Sequence, residues 1–301
     1  MKELKLSKLL KNSEMAMGFD SSNINESTGT SDIATFASQV GILIKTKYKT
    51  SLAYELADIQ PLATPVGNVF SLTKVNTSGN SWKFKVINTP VTAVSKYADT
   101  GFTNEAWQDL QSQFGEDAND ICANVLSKVS ASVETSDMLA FVKANAKVMP
   151  SLVAQSYEHV FTTIGNAILA MNQITFRTMK AWVLLPSAIA GNLVVDPNYF
   201  LSDALDTKSQ YLIYKFGNTK FYINPDNTDT NVYVGLNGDE PGTSSVIFSP
   251  YQYTVSPATN PDSGQNTLFV FNRYAITLNP LSVPGNEMLY SFALTMPFTV
   301  N

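Results

Sequence analysis

An α+β protein is what this sequence predicts, on three observations. Before Arg177 the apolar residues recur mainly in steps of three and four, most clearly from Trp107 to Val129. Beyond Arg177, short runs of β-branched and aromatic residues are separated by Gly, Pro and Asn turns. The long helices and most of the strands therefore occupy separate stretches of chain. With 301 residues and 44% hydrophobic content, there is ample material for a large core.

Residues 1–30 are polar and rich in Gly, Ser and Asn, apart from a short face of Leu6, Leu9 and Leu10, and read as a flexible arm. From Ser31 the pattern changes. Ile33, Phe36, Ala37, Val40 and Ile44 fall at helical spacing, with Ser31 or Asp32 as the cap. Leu52, Leu56 and Ile59 share another helical face, which Pro61 ends because it lacks an N–H and holds Gln60 extended. Pro65 and Gly67 then mark a turn, and Val69, Phe70 and Leu72 resume as a strand.

Residues 73–100 predict a long two-stranded excursion. Thr77-Ser-Gly-Asn80 supplies its turn, and Trp82, Phe84 and Val86 alternate with Ser81, Lys83 and Lys85 in a period of two. One face is thus apolar. A solitary hairpin is marginal in water, so that face must lie on something, either its own domain or a neighbour.

Trp107, Leu110, Phe114, Ala118, Ile121, Cys122, Val125, Leu126 and Val129 predict a long amphipathic helix, with Thr103 or Asn104 as its cap. A second helix is expected from Asp137 to Val148, ahead of Pro150, and a third from Ser151 to Met171. After Arg177, Ala181–Leu185 reads as a buried strand closed by Pro186. Tyr211–Phe216 and Thr219–Ile223 flank the two-residue turn Gly217-Asn218. Further strands are expected at 232–236, 246–248, 268–277 and 288–299, with a turn at Phe248-Ser-Pro-Tyr251.

The order of these signals resembles one family. The helix end at Leu56–Ile59, the Gln60-Pro61 and Pro65-Val-Gly67 turns and the Val69–Leu72 strand resemble the opening of the peripheral domain in major capsid proteins of T-even-like tailed phages (myoviruses). Phe221-Tyr-Ile-Asn-Pro-Asp226, Val232-Tyr-Val-Gly-Leu236, Phe248-Ser-Pro-Tyr251, Phe271-Asn-Arg-Tyr-Ala275 and Asn279-Pro280 resemble successive landmarks of their axial domain. The resemblance runs in order over roughly residues 31–280. It implies a Hong Kong 97-type phage capsid fold: an N-terminal arm (1–30), a peripheral domain (31–72, 101–176 and 286–301) with a long spine helix, an extended loop (73–100) and an axial domain (177–285). In such a fold the extended loop lies across a neighbouring subunit, which makes Trp82, Phe84 and Val86 the inter-subunit contact. The implied function is that of a major capsid protein whose hexamers and pentamers build an icosahedral head around double-stranded DNA. An encapsulin-like compartment shell of the same fold is the alternative, separated by its contents: protein cargo in place of DNA.

Composition accords with a shell. The charged fraction is 15%, against roughly 25% in ordinary soluble domains, as expected where much surface is desolvated between subunits. Secreted β-rich proteins share this composition. Twenty basic and twenty-five acidic residues give a formal charge of −5 and no basic cluster, which argues against sequence-specific nucleic-acid binding. A near-neutral wall suits packaged DNA. No apolar run is long enough to span a membrane and the N-terminus does not read as a signal peptide, so assembly is expected in the host cytoplasm.

Chemistry finds little support. His159 is the only histidine, which excludes a His-based metal cluster within one chain and leaves a Ser-His-Asp triad this residue alone. It falls off the stripe of its helix, as an exposed structural residue does. Cys122, the single cysteine, lies on an apolar stripe and reads as buried and inert. Glu116, Asp117 and Asp120 read as a solvated face. Asn224–Asn231 and Asn237–Gly242 are rich in oxygen ligands but lack Ca²⁺-loop spacing, so turn chemistry explains them. No cofactor, metal or catalytic residue is expected.

Two further expectations rest on the resemblance. Residues 73–100 leave no room for an insertion domain and the arm is too small to act as a scaffold, so a separate scaffold is implied, beside portal and decoration proteins. Ile24-Asn25-Glu26 matches the Ile/Leu-x-Glu pattern cut by the prohead protease of T-even-like phages, in a segment a protease can reach.

Overall fold

A computed structural model describes residues 50–76, 82–102, 109, 112, 118–153, 156–175, 180–187, 189–190, 211–237, 242–259 and 266–295. The arm over 1–30, the cleavage motif Ile24-Asn25-Glu26, the helix from Ser31 and the helix start at Trp107 lie outside these residues.

A seven-stranded sheet forms one centre of the molecule. Its strands are β5 (Lys147–Val148), β6 (Leu152–Val153), β7 (Ala181–Leu185), β8 (Leu212–Phe216), β9 (Thr219–Ile223), β10 (Asn231–Leu236) and β13 (Leu289–Thr295). They run in the order β5-β13-β10-β7-β9-β8, with β6 also on β13. Central β7 is buried throughout, as its unbroken apolar run requires, because alternate side chains enter two different cores. Val183 and Leu185 meet helix α3 (Tyr157–Thr175) through Val160, Ile164 and Met171. Trp182 and Leu184 point the other way, toward Leu52, Leu56, Met138 and Val142. The α3 N-terminus is capped by Ser156, whose Oγ accepts the His159 N–H at 3.2 Å, and His159 itself is exposed. Gly217, at φ +57°, opens the turn between β8 and β9.

The second sheet has four strands in the order β1-β11-β12-β4: β1 (Asp58–Ile59), β11 (Val246–Thr259), β12 (Asn266–Leu278) and β4 (Val94–Phe102). A separate two-stranded hairpin joins β2 (Val66–Asn76) to β3 (Trp82–Thr92). Of the excursion expected over 73–100, the hairpin holds the part up to Thr92 and begins earlier, at Val66. Residues 94–102 pair instead with β12.

Three local expectations are corrected. The helix at Leu52–Ile59 shrinks to α1 (Ala53–Leu56), because Ala57 turns extended and Asp58 and Ile59 pair in parallel with Ile247 and Phe248. Leu52, Leu56 and Ile59 are all buried nonetheless. The turn at Phe248–Tyr251 is instead part of β11, where the register against β12 slips between Pro250 and Gln252. A bulge accommodates the proline within the ladder.

The third correction concerns the helices expected at 107–129 and 137–148, which join in one 28-residue helix, α2 (Ala118–Asn145). Its buried stripe is Leu126, Ser130, Ala131, Glu134, Met138 and Val142, while Val125 and Val129 face outward. The polar stretch 130–136 read as a break because its buried positions are polar. Those positions are hydrogen-bonded. Asn272 Nδ2 on β12 donates to Glu134 Oε1 at 2.8 Å and to Ser130 Oγ at 3.2 Å, and the Leu52 N–H donates to Thr135 Oγ1 at 3.1 Å. Burial with partners avoids the desolvation cost an orphan would carry.

Ion pairs fix α2 to both sheets. Asp137 meets Lys96 of β4 at 2.8 Å and accepts the Tyr274 hydroxyl at 2.6 Å. Lys143 lies between Asp226, at 2.6 Å, and Asp229, at 3.0 Å, in the loop before β10. Asp229 also accepts from the Tyr233 hydroxyl and the Asn231 N–H, and Asn224 and Asp226 cap neighbouring N–H groups. The oxygen-rich 224–231 segment is thus a self-bonded turn around a lysine.

Candidate assembly interface

The hairpin has two unlike faces because its eleven register pairs run without a bulge. One face carries Val69, Ser71 and Val91, which are buried. Val69 and Val91 pack with Leu62, Ala93, Ile247 and Ala275 in a small core at the root. The opposite face carries Val66, Phe70, Leu72 and Lys74 on β2, paired with Thr92, Asn88, Val86 and Phe84 on β3, and ends at Trp82 across from Asn76. Of these, Val66 is 61%, Phe70 49% and Val86 62% exposed. Trp82, Phe84 and Val86 therefore occupy one face by register with Leu72 and Phe70, and Val66 lies farther along it beyond Asn68 and Pro90.

The root is held at Phe70 and Ser71 from three directions. Gln60 Nε2 donates to the Phe70 carbonyl and Gln60 Oε1 accepts the Phe70 N–H, each at 2.8 Å. The Ser71 hydroxyl donates to Asn279 Oδ1 at 2.7 Å. Asn279 is buried and uses all four of its hydrogen-bonding positions, since Nδ2 donates to the carbonyls of Gly242 and Ser244 and Oδ1 also accepts the Leu281 N–H. Gly242 presses directly on the root, where a Cβ would come within 2.6 Å of Ser71 Cα and 2.7 Å of the Phe70 carbonyl oxygen, and its φ of +73° independently favours glycine. Its N–H donates to Asp58 Oδ2 at 2.8 Å.

Gln60-Pro61 and Asn279-Pro280 were legible as landmarks, but their shared role was not. They are 219 positions apart and meet through the two successive root residues Phe70 and Ser71, and again through Asp58 and Gly242. The one local signal was a Pro following each amide residue, which holds that residue extended with its side chain free to reach sideways.

The sequence model of the major capsid protein Gp23 family matches residues 72–294. The chain belongs to that family. It is a major capsid protein of the tailed-phage kind, a component of the virion shell that assembles from many copies of itself. No curated protein matches the sequence. Among solved structures, a chain of Microbacterium phage Oxtober96 is similar at TM-score 0.55 and 10% identity, over 81% of this chain and 91% of that one. The virus-like particle from Pyrococcus furiosus is similar at TM-score 0.54 and 11% identity, over 86% and 99%. The head structure of Helicobacter pylori bacteriophage KHP40 gives 0.51 and 12%, over 82% and 89%. At such identities these likenesses establish the fold, which is of the Hong Kong 97 type. The fold alone does not separate a phage head from another shell, and the family match decides for the capsid protein over the encapsulin-like alternative.

Among the described residues there is no group of three or more His, Cys, Asp or Glu side chains placed to hold a metal ion, and no helix long and apolar enough to cross a membrane.

Proposed function

We propose that the β2–β3 hairpin is the extended loop of this capsid protein and that its Trp82, Phe84 and Val86 face docks on a neighbouring subunit. One observation carries the reading: the hairpin is locked at its root and turns a contiguous apolar face outward, with Phe70 and Val86 exposed. A monomer has little reason to fix such a face in water. The expected divisions are otherwise kept, with residues 1–30 as an arm, 31–72, 101–176 and 286–301 as a peripheral domain and 177–285 as an axial domain, while residues 94–100, which pair with β12, pass from the expected 73–100 loop to the body. Copies assemble in the host cytoplasm into hexamers and pentamers of an icosahedral head, on a separate scaffold and with portal and decoration proteins. Packaged double-stranded DNA is held without sequence preference, and the protein acts by association rather than catalysis.

Trp82→Ala tests this. Loss of a docked tryptophan costs about 2–4 kcal/mol per contact, repeated in every subunit. Sedimentation should show particle formation suppressed while circular dichroism shows the helices intact. Shells of normal yield and stability, or an unfolded subunit, would remove the hairpin's inter-subunit role. Cleavage after Glu26 is a further part of the proposal, tested by intact mass of mature particles, where retained Met1 rules it out.

A further inference from the structure

β12 outruns its neighbour. β4 pairs with it from Asn266 to Tyr274 and stops there, whereas β11 follows it to Leu278. Beyond Tyr274, among the described residues, no strand pairs with β12 on that side. The Gln60 N–H bonds the Phe248 carbonyl and the Leu62 N–H that of Pro250, so Phe248 and Pro250 face the β1 side, and the alternate residues Ile247 and Ser249 face β12. Their partners Thr277 and Ala275 therefore direct their backbone groups to β11, as Asn279 does in donating its N–H to the Ser245 carbonyl. Ile276 and Leu278 direct theirs to the open side. Such an edge is a template for one more strand.

The open edge forms a wall of a cavity of about 520 Å³ beside the hairpin root. Val94, Phe141 and Ile276 give the cavity apolar sides, and Val94 is 58% exposed. The charged residues that line it, Lys96 and Asp137, are already paired with each other at 2.8 Å. A fitting occupant is extended, apolar on one face and uncharged.

We propose that residues 296–301 of a second copy, Met-Pro-Phe-Thr-Val-Asn, enter this notch and add a short strand to β12. The segment carries no charge, and Phe298 and Val300 alternate with Thr299 and Asn301 in the period of two that sets both apolar side chains on one face. Pro297 has no N–H with which to continue the β13 ladder beyond Thr295, which leaves the residues after it to pair elsewhere. The lengths agree, since residues 275–278 and 298–301 each span about 13 Å at ~3.3 Å per residue. A second copy is the donor because β13 leads away from the notch. Leu289, its first residue, shares a core with Tyr274 and Ile276, and Thr295 lies about 20 Å farther along the strand at ~3.3 Å per residue. Phe298 is three residues beyond Thr295, a reach of about 11 Å at most. Donor and receiver are different parts of one subunit, so the contact is heterologous and passes from copy to copy. It depends on assembly and not on where the hairpin docks.

Amide hydrogen exchange tests the pairing in the full chain. On assembly the Ile276 and Leu278 amides should slow by about tenfold or more, while those of Ala275 and Thr277, already bonded to β11, change little. Phe298→Asp sets a charge against the apolar wall and should remove that slowing from assembled particles. A synthetic peptide of residues 296–301, at about ten times its dissociation constant, should slow the same two amides about tenfold in unassembled parent subunits. The peptide reads the notch even where Phe298→Asp fails to fold or builds no particles. Exchange at Ile276 and Leu278 that is unchanged by assembly would overturn the pairing, as would slowing that survives Phe298→Asp or a peptide that does not bind. Slowing already present in unassembled parent subunits and lost in Phe298→Asp would overturn the second copy as donor, because the subunit's own segment would then fill the notch.

Discussion

Gln60 serves Phe70 as a neighbouring strand would, offering a donor and an acceptor to the carbonyl and N–H of one residue, each at 2.8 Å. The amide side chain supplies two ladder hydrogen bonds at a point where, among the described strands, β2 has β3 alone beside it. This clip fixes where the hairpin leaves the body. Gln60→Ala should remove both bonds, at a net cost of about 1–3 kcal/mol. Native-state hydrogen exchange should show the Phe70 amide losing protection while amides of β7 keep theirs.

Gly242→Ala should be worse, because it adds a methyl group against backbone atoms and also strains a positive φ. A cost above about 2 kcal/mol is expected in chemical denaturation. Gly217→Ala is the control, since its φ is also positive but no atom lies within 4 Å of the new Cβ. It should cost only about 1 kcal/mol.

Asn279→Leu should destabilise by about 3 kcal/mol or more, because it strands the Ser71 hydroxyl, two carbonyls and the Leu281 N–H at a buried site. Ser71→Ala removes a single partner and should cost about 1 kcal/mol. Urea midpoints on the isolated subunit would rank the two. An equal cost for both would mean that Asn279 does not organise the root.

The Lys143 cluster predicts stability failing at both ends of the pH scale. Burial pushes the Asp229 carboxyl upward, but the Asn231 N–H, Lys143 and the Tyr233 hydroxyl outweigh it and hold the carboxyl below the usual range. A depressed carboxylate contributes stability that is complete above its unfolded value, about 4, and lost as pH falls through the lower folded value. Burial likewise opposes the Lys143 ammonium, yet Asp226 and Asp229 raise it above its ordinary value. That contribution is complete below about pH 10.4 and lost as pH rises through the folded value. Glu287, lowered to about 2 by its hydrogen bond from Lys147, adds to the acid arm in the same sense. Denaturation midpoints of Lys143→Met against pH should therefore vary less steeply below pH 4 and above pH 10 than those of the parent. Parallel curves would show that the cluster contributes nothing through its charges.

What was legible in the sequence was what local periodicity records. The alternation of Trp82, Phe84 and Val86, the unbroken apolar run of β7 and the Gly217-Asn218 turn all depend on neighbours close in sequence. What was missed depends on partners far away. The Ser130–Glu134 stretch of α2 looks solvent-exposed until Asn272 is brought against it, 138 residues on from Glu134. Pro250 looks like a turn until a bulge makes room for it. Asp58 and Ile59 look helical until β11 offers a ladder. Asn279 and Gln60 carried a visible pattern but no visible purpose, because what they grip lies in a third segment, the Phe70 backbone for Gln60 and the Ser71 hydroxyl for Asn279.

The unbroken register of the hairpin also constrains how its gene can drift. Adding or losing one residue within 72–76 or 82–86 reverses the parity of everything beyond it, sending Trp82 or Phe84 to the wrong side of the blade. Length changes in these strands should therefore arise in twos, whereas the tip between Asn76 and Trp82 is free of that arithmetic. A foreign peptide carried on such a shell without disturbing the outward face would thus enter at the tip, at any length its own ends can close.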